Sequence, residues 1–197
     1  MQSSPSSAAS DPSRPAAAPS AASPAPLGPG AGLLTRIGRA LVGWPRALRL
    51  AVCGGWMGLI WTLSDSEMPD GPKSLGWRFL GNLFHAPLFG LLGLWCIAAV
   101  SERPEEGERM PRPGLRRLGL ALACVLAYAA IDEVHQSFTP GRSPSPGDVG
   151  TDVVGASCVA WVVHYLGAPG ASEAGLWARL LGGVLACCGA AGVATLF

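Results

Sequence analysis

The stretch FLGNLFHAPLFGLLGLWCIAAVS, Phe79 to Ser101, runs for 23 residues without an Asp, Glu, Lys or Arg. Roughly 20 helical residues cross a hydrocarbon core of about 30 Å, so this segment is long enough to span one. Val153 to Ser172 is equally free of those four residue types. Working outward from these two, further apolar runs follow the same rule, and the expected spans are 47–64, 79–100, 118–138, 148–166 and 176–197. The first has 15 residues between Arg49 and Asp65 and is accompanied by Trp44, Trp56 and Trp61, which fit an interfacial belt. The fifth carries Arg179 near its start, where a long side chain can reach the surface. The third is apolar from Leu118 to Ile131 and then meets Asp132, Glu133, His135 and Gln136. Buried helices of a soluble protein would show more charged faces than these do. The expected fold is all-α, an integral membrane bundle of four to five transmembrane helices.

Composition agrees. Of 197 residues, 49% are hydrophobic and 14% charged, against about 25% charged in soluble domains, and mean hydropathy is +0.35. Net charge is +1, from 14 Lys and Arg against 13 Asp and Glu. No broad basic field exists to hold a nucleic acid. Pro, Ala and Ser make up 23 of the first 30 residues, so residues 1–43 read as a disordered cytoplasmic tail and 44–197 as the membrane domain. A secretory signal would place its apolar segment earlier than Ala47, where the first run begins. The six cysteines, Cys53, Cys96, Cys124, Cys158, Cys187 and Cys188, lie in apolar runs without a CxxC pair and read as small packing residues.

Orientation follows from basic residues. Arg36, Arg39, Arg46, Arg49, Arg103, Arg109, Arg112, Arg116, Arg117 and Arg179 fall on one side of the spans, and Lys73, Arg78 and Arg142 on the other. The positive-inside rule then puts the N-terminus in the cytoplasm. At about 1.5 Å per residue, His85 lies about 9 Å below the outer surface, Asp132 about 9 Å below it from the opposite direction, and Asp152 about 6 Å beneath Asp148. Three helices therefore bring His85, Asp132 and Asp152 to one level, capped by the loop Thr139–Gly147 with Arg142. Asp132, His135 and Gln136 share a helical face, as do Asp148 and Asp152, while Glu133 points about 100° away from Asp132. Charged groups at membrane depth face a bundle interior or a wet cavity, so these faces should converge on a polar pocket open to the outside.

Each residue has a plainer structural role to weigh. Asp148 fits a helix N-cap; Asp132 and Arg142 fit an ion pair locking the loop; His85 fits an interhelical hydrogen bond; His135 and Gln136 fit an interface. Pro87 removes a donor and suits a kink beside His85. His164 lies at the cytoplasmic end and receives no role. Taken together, the polar residues fit general acid and base work around an Arg-bound anion, a proton relay in transport, or an inert clamp between helices. Metal ligation has no supporting spacing such as HExxH.

The run from Ala129 to Gly155 resembles the signature of the VanZ-like family of bacterial membrane proteins, named after a teicoplanin-resistance protein. Asp132, Glu133, His135, Gln136, Pro140, Gly141, Arg142, Asp148 and Gly155 match its DE-x-HQ, PGR and D-x-x-x-N-x-x-G elements, and Ser64 and His85 fit further family positions. Asn82 stands where the family tends to have Lys, and Asp152 where Asn is usual. Both departures leave Arg142 as the main cation of the pocket. The resemblance covers about residues 48–166. It implies a multi-pass protein of the bacterial inner membrane and a link to the cell envelope and glycopeptide resistance. The expected partners are the lipid bilayer and a small or lipid-linked envelope substrate. In that expectation His85, Asp132, Glu133 and His135 are the candidate catalytic groups, and Gln136, Arg142, Asp148 and Asp152 contact substrate. A noncatalytic membrane component or transporter is the alternative.

Overall fold

The computed structural model describes residues 26–65, 74–105, 109–140, 142 and 144–196. Those residues form α1 (Pro29–Gly43), α2 (Arg46–Ser64), α3 (Leu75–Val100), α4 (Leu115–Gln136), α5 (Pro146–Leu166) and α6 (Glu173–Leu196), with no strand among them. Helices α2 to α6 are each long and apolar enough to cross a membrane. The fold is thus all-α, and its five long helices are the expected spans with ends displaced by no more than four residues. Helix α3 starts early because Ser74 caps it, its hydroxyl accepting from Trp77 N at 3.4 Å.

Residues 29–43 correct the reading of a tail. Pro29 supplies the first-turn proline, and the N-terminal amides of Gly30 and Ala31 donate to Glu173 at 3.2 and 2.8 Å. An acidic side chain from the start of α6 thereby satisfies the positive end of α1. The rest of that expected tail, residues 1–25, lies outside the described residues.

Packing is tightest between α3 and α5. A Cβ at Gly155 would lie 2.8 Å from Ala86 Cα and nearer still to its carbonyl oxygen, and one at Gly93 would lie 3.0 Å from Ala156 Cβ. Only small residues let two membrane helices approach this closely, since lipid supplies no hydrophobic drive and dispersion must hold them. Pro87 follows the crossing directly and α3 continues through it as one helix. The core around this pair holds Phe89, Leu92, Val125 and Ile60, all under 2% exposed.

Helix α2 is tied on by polar anchors. Arg49, buried, donates through Nη1 to the carbonyls of Ala98 and, at 2.9 Å, Ser101, satisfying the open C-terminal end of α3. Tyr128 Oη donates to Met57 O at 2.5 Å. Trp56 corrects the belt reading, because its indole is half-buried against α3 and donates to Leu88 O at 2.9 Å. The cysteines are all free, with Cys53 and Cys96 meeting at 3.7 Å between α2 and α3.

Candidate functional site

The close α3–α5 crossing has an immediate consequence within one turn on each helix. His85 precedes Ala86, Asp152 stands three residues before Gly155, and His85 Nδ1 lies 3.1 Å from Asp152 Oδ1. Asp152 is 1% exposed, so its carboxylate has little solvent to turn to. With Asp152 ionised and the imidazole neutral, Nδ1 carries the proton and the opposite nitrogen, Nε2, keeps its lone pair. That is the arrangement of an oriented base.

Helix α4 brings its polar end against α2. Asp132 Oδ2 accepts from Ser64 Oγ at 2.8 Å and from Gln136 Nε2 at 2.9 Å, and Gln136 Nε2 also reaches Ser64 Oγ at 3.3 Å. The i, i+4 spacing of Asp132 and Gln136 places both on the face that meets Ser64. Asp132 takes these bonds rather than the pair weighed with Arg142, whose Nη2 donates to Leu63 O at 3.1 Å. Asp132 Oδ1 is buried without a hydrogen-bond partner. An unfilled acceptor on a buried carboxylate invites a donor from outside the protein.

Glu133 turns away, as its helical angle requires. Its Oε2 accepts from Ser145 N at 2.7 Å and fixes the loop at the entry to α5. Ser145, not Asp148, caps that helix, its hydroxyl accepting from Gly147 N at 3.2 Å. Asp148 sits in the first turn instead, where a carboxylate also favours the helix dipole. With the Asn82 amide turned so that both its ends are matched, its nitrogen meets Asp148 Oδ1 at 3.2 Å and its oxygen meets Thr195 N at 3.2 Å. His135 stacks on Trp61 with centroids 3.6 Å apart, its Nε2 3.6 Å from Asp65 Oδ1.

A cavity of about 360 Å³ lies where α2, α3, α4 and the α4–α5 loop meet. Its polar wall is Ser64, His85, Asp132 and Arg142, and its apolar wall includes Leu63, Trp77, Leu80 and Phe84. Of the residues expected to form a site, His85, Asp132 and Arg142 line this cavity, and Asp152 stands behind His85. Glu133, His135, Gln136 and Asp148 do not line it; they hold the elements that do. Ser64 joins the wall from the family position it matches, whereas Trp77 and Phe84 carry no charge and share no helical pattern with the acidic run, so only the tertiary fold reveals them. Among the described residues no cluster of three or more His, Cys, Asp or Glu is placed to hold a metal.

Comparison with curated proteins and with solved structures finds no match. A family model described as VanZ/LLP1 matches residues 47–167, which contain α2 to α5 except for Arg46 and every residue of the cavity's polar wall. A match over more than half of the chain, joined to five helices long and apolar enough to cross a bilayer, identifies this multi-pass membrane protein as a member of the VanZ/LLP1 family.

Proposed function

We propose that this protein sits in the bacterial cytoplasmic membrane with its N-terminal region in the cytoplasm, and that its cavity receives the polar head of an anionic or lipid-linked envelope substrate at the outer leaflet. The observation that carries this reading is the meeting of Ser64, His85, Asp132 and Arg142, from three helices and a loop, on one cavity. Arg142 grips an anionic group, charge against charge. Asp132 Oδ1 accepts from a hydroxyl of the head, filling the place left open in the protein. His85 Nε2 takes a proton from that head while Asp152 holds the ring and balances the charge it gains. A role in the cell envelope, and through it in glycopeptide susceptibility, follows from the resemblance to the teicoplanin-resistance family.

The test is substitution with the fold monitored. His85→Ala, Asp132→Asn and Arg142→Gln are expected to insert and melt like the parent, while losing binding of a soluble phosphate monoester and any teicoplanin phenotype. Variants that bind and behave as the parent, or that lose only their fold, overturn the reading. One observation favours a clamp: Ser64, Asp132 and Gln136 close α2 onto α4 through three mutual bonds. In that case Asp132→Asn changes the melting temperature and leaves binding unchanged.

A further inference from the structure

Around α3 from the cavity lies a second hollow of about 740 Å³, bounded by α1, α3, α5 and α6 and almost wholly apolar. Leu80 and Phe84 line both hollows and are 58% and 63% exposed, so they form a ridge between them and not a partition. Along α3 the groove extends from Leu80 to Leu94, about 21 Å at the helical rise. That exceeds one leaflet, roughly half of a 30 Å hydrocarbon core. Leu34, Ile37 and Leu41 of α1 line its far end. The cation there, Arg179, is committed to the protein, its guanidinium 3.5 Å from the Tyr165 ring centroid and its Nη1 donating to Gly175 O at 2.9 Å. The polar wall of Ser64, His85, Asp132 and Arg142 stands at the cavity end, and the rest of the length is lined by apolar side chains.

We infer that the substrate of the cavity is a phosphate-linked lipid whose single hydrocarbon chain is longer than one leaflet, of polyprenyl type, and that this chain crosses the Leu80–Phe84 ridge and lies in the groove. The inference rests on the reading of the cavity proposed above. A lipid anchored in one leaflet covers about 15 Å of the groove, whereas one long chain runs its whole length and leaves its phosphate near Arg142.

The protein in phosphatidylcholine nanodiscs tests this, with a photoreactive diazirine at the tail end of either a long polyprenyl phosphate or farnesyl phosphate. The long probe should label the far end, near Leu34 and Leu94, and farnesyl phosphate only the ridge end, near Leu83. Val184→Trp and Leu91→Trp, at exposed groove positions that accommodate an indole, should lower far-end labelling about ten-fold and leave farnesyl labelling intact. Arg142→Gln should lower labelling by both. Long-probe labelling no greater in the groove than at Leu120 and Leu126, or unchanged by both Trp variants, overturns the inference, as does equal far-end labelling by a tail-labelled phosphatidylglycerol. Farnesyl labelling that responds to Arg142→Gln would then leave the cavity reading standing; labelling by both probes indifferent to Arg142→Gln overturns both.

Discussion

Asp132 is the residue on which the polar end of the bundle turns, because two buried donors, Ser64 Oγ and Gln136 Nε2, depend on one of its oxygens. Asp132→Leu would strand both, at about 1–3 kcal/mol for each unsatisfied group. Asp132→Asn can keep one oxygen toward them and is expected to cost far less. Thermal unfolding in detergent should place the Leu variant well below both the parent and the Asn variant, and a Leu variant as stable as the parent would show that the three bonds do not hold α2 to α4. Much of this was legible in advance. The i, i+4 relation of Asp132 and Gln136, and the shared depth of His85 and Asp152, follow from helical geometry alone. The partner on α2 does not, since α2 is apolar around most of its circumference and no pattern sets its rotation. Nor does the stacking of His135 on Trp61, which depends on that same rotation.

At the scale of elements, the α3–α5 crossing makes a sharp contrast between two glycines of one helix. Gly155→Ala drives a methyl into the Ala86 backbone, which cannot turn aside, whereas a methyl at Gly150 meets nothing within 4 Å. Gly155→Ala should therefore separate α3 from α5 and lose the His85–Asp152 contact, seen as a lower melting temperature and a shifted His85 ring resonance. Gly150→Ala should be neutral or stabilise by about 0.5–1 kcal/mol, the usual gain of alanine over glycine inside a helix. Arg49 belongs to the same scale. Arg49→Met keeps the apolar stem but frees the carbonyls of Ala98 and Ser101, and about 1–3 kcal/mol of stability should go with them; unchanged unfolding of that variant would refute its capping role. The five long helices could be read from length and apolarity. Helix α1 could not, because the Pro, Ala and Ser bias runs into its first turn and its N-terminal amides are satisfied by Glu173, more than 140 residues away.

For the whole molecule, the decisive quantity is which face of the bundle looks outward. Five crossings place the two ends of the bundle on opposite sides, and α1 lies with the start of α6, where Glu173 meets it. That face also gathers Arg36, Arg39, Arg103, Arg112 and Arg179, while the cavity with Arg142 lies toward the other. Basic residues in short loops resist translocation, so the α1 face should be cytoplasmic. A fluorescent protein fused before α1 should then glow, and a phosphatase that folds only outside the cytoplasm should be active when fused after Leu196. Replacing Arg103, Arg109, Arg116 and Arg117 by Gln should weaken the bias and give a mixed population by both reporters. If the C-terminal phosphatase is silent in the parent, the cavity faces the cytoplasm, and a head group presented at the outer leaflet could not reach His85 without first being carried across the bilayer.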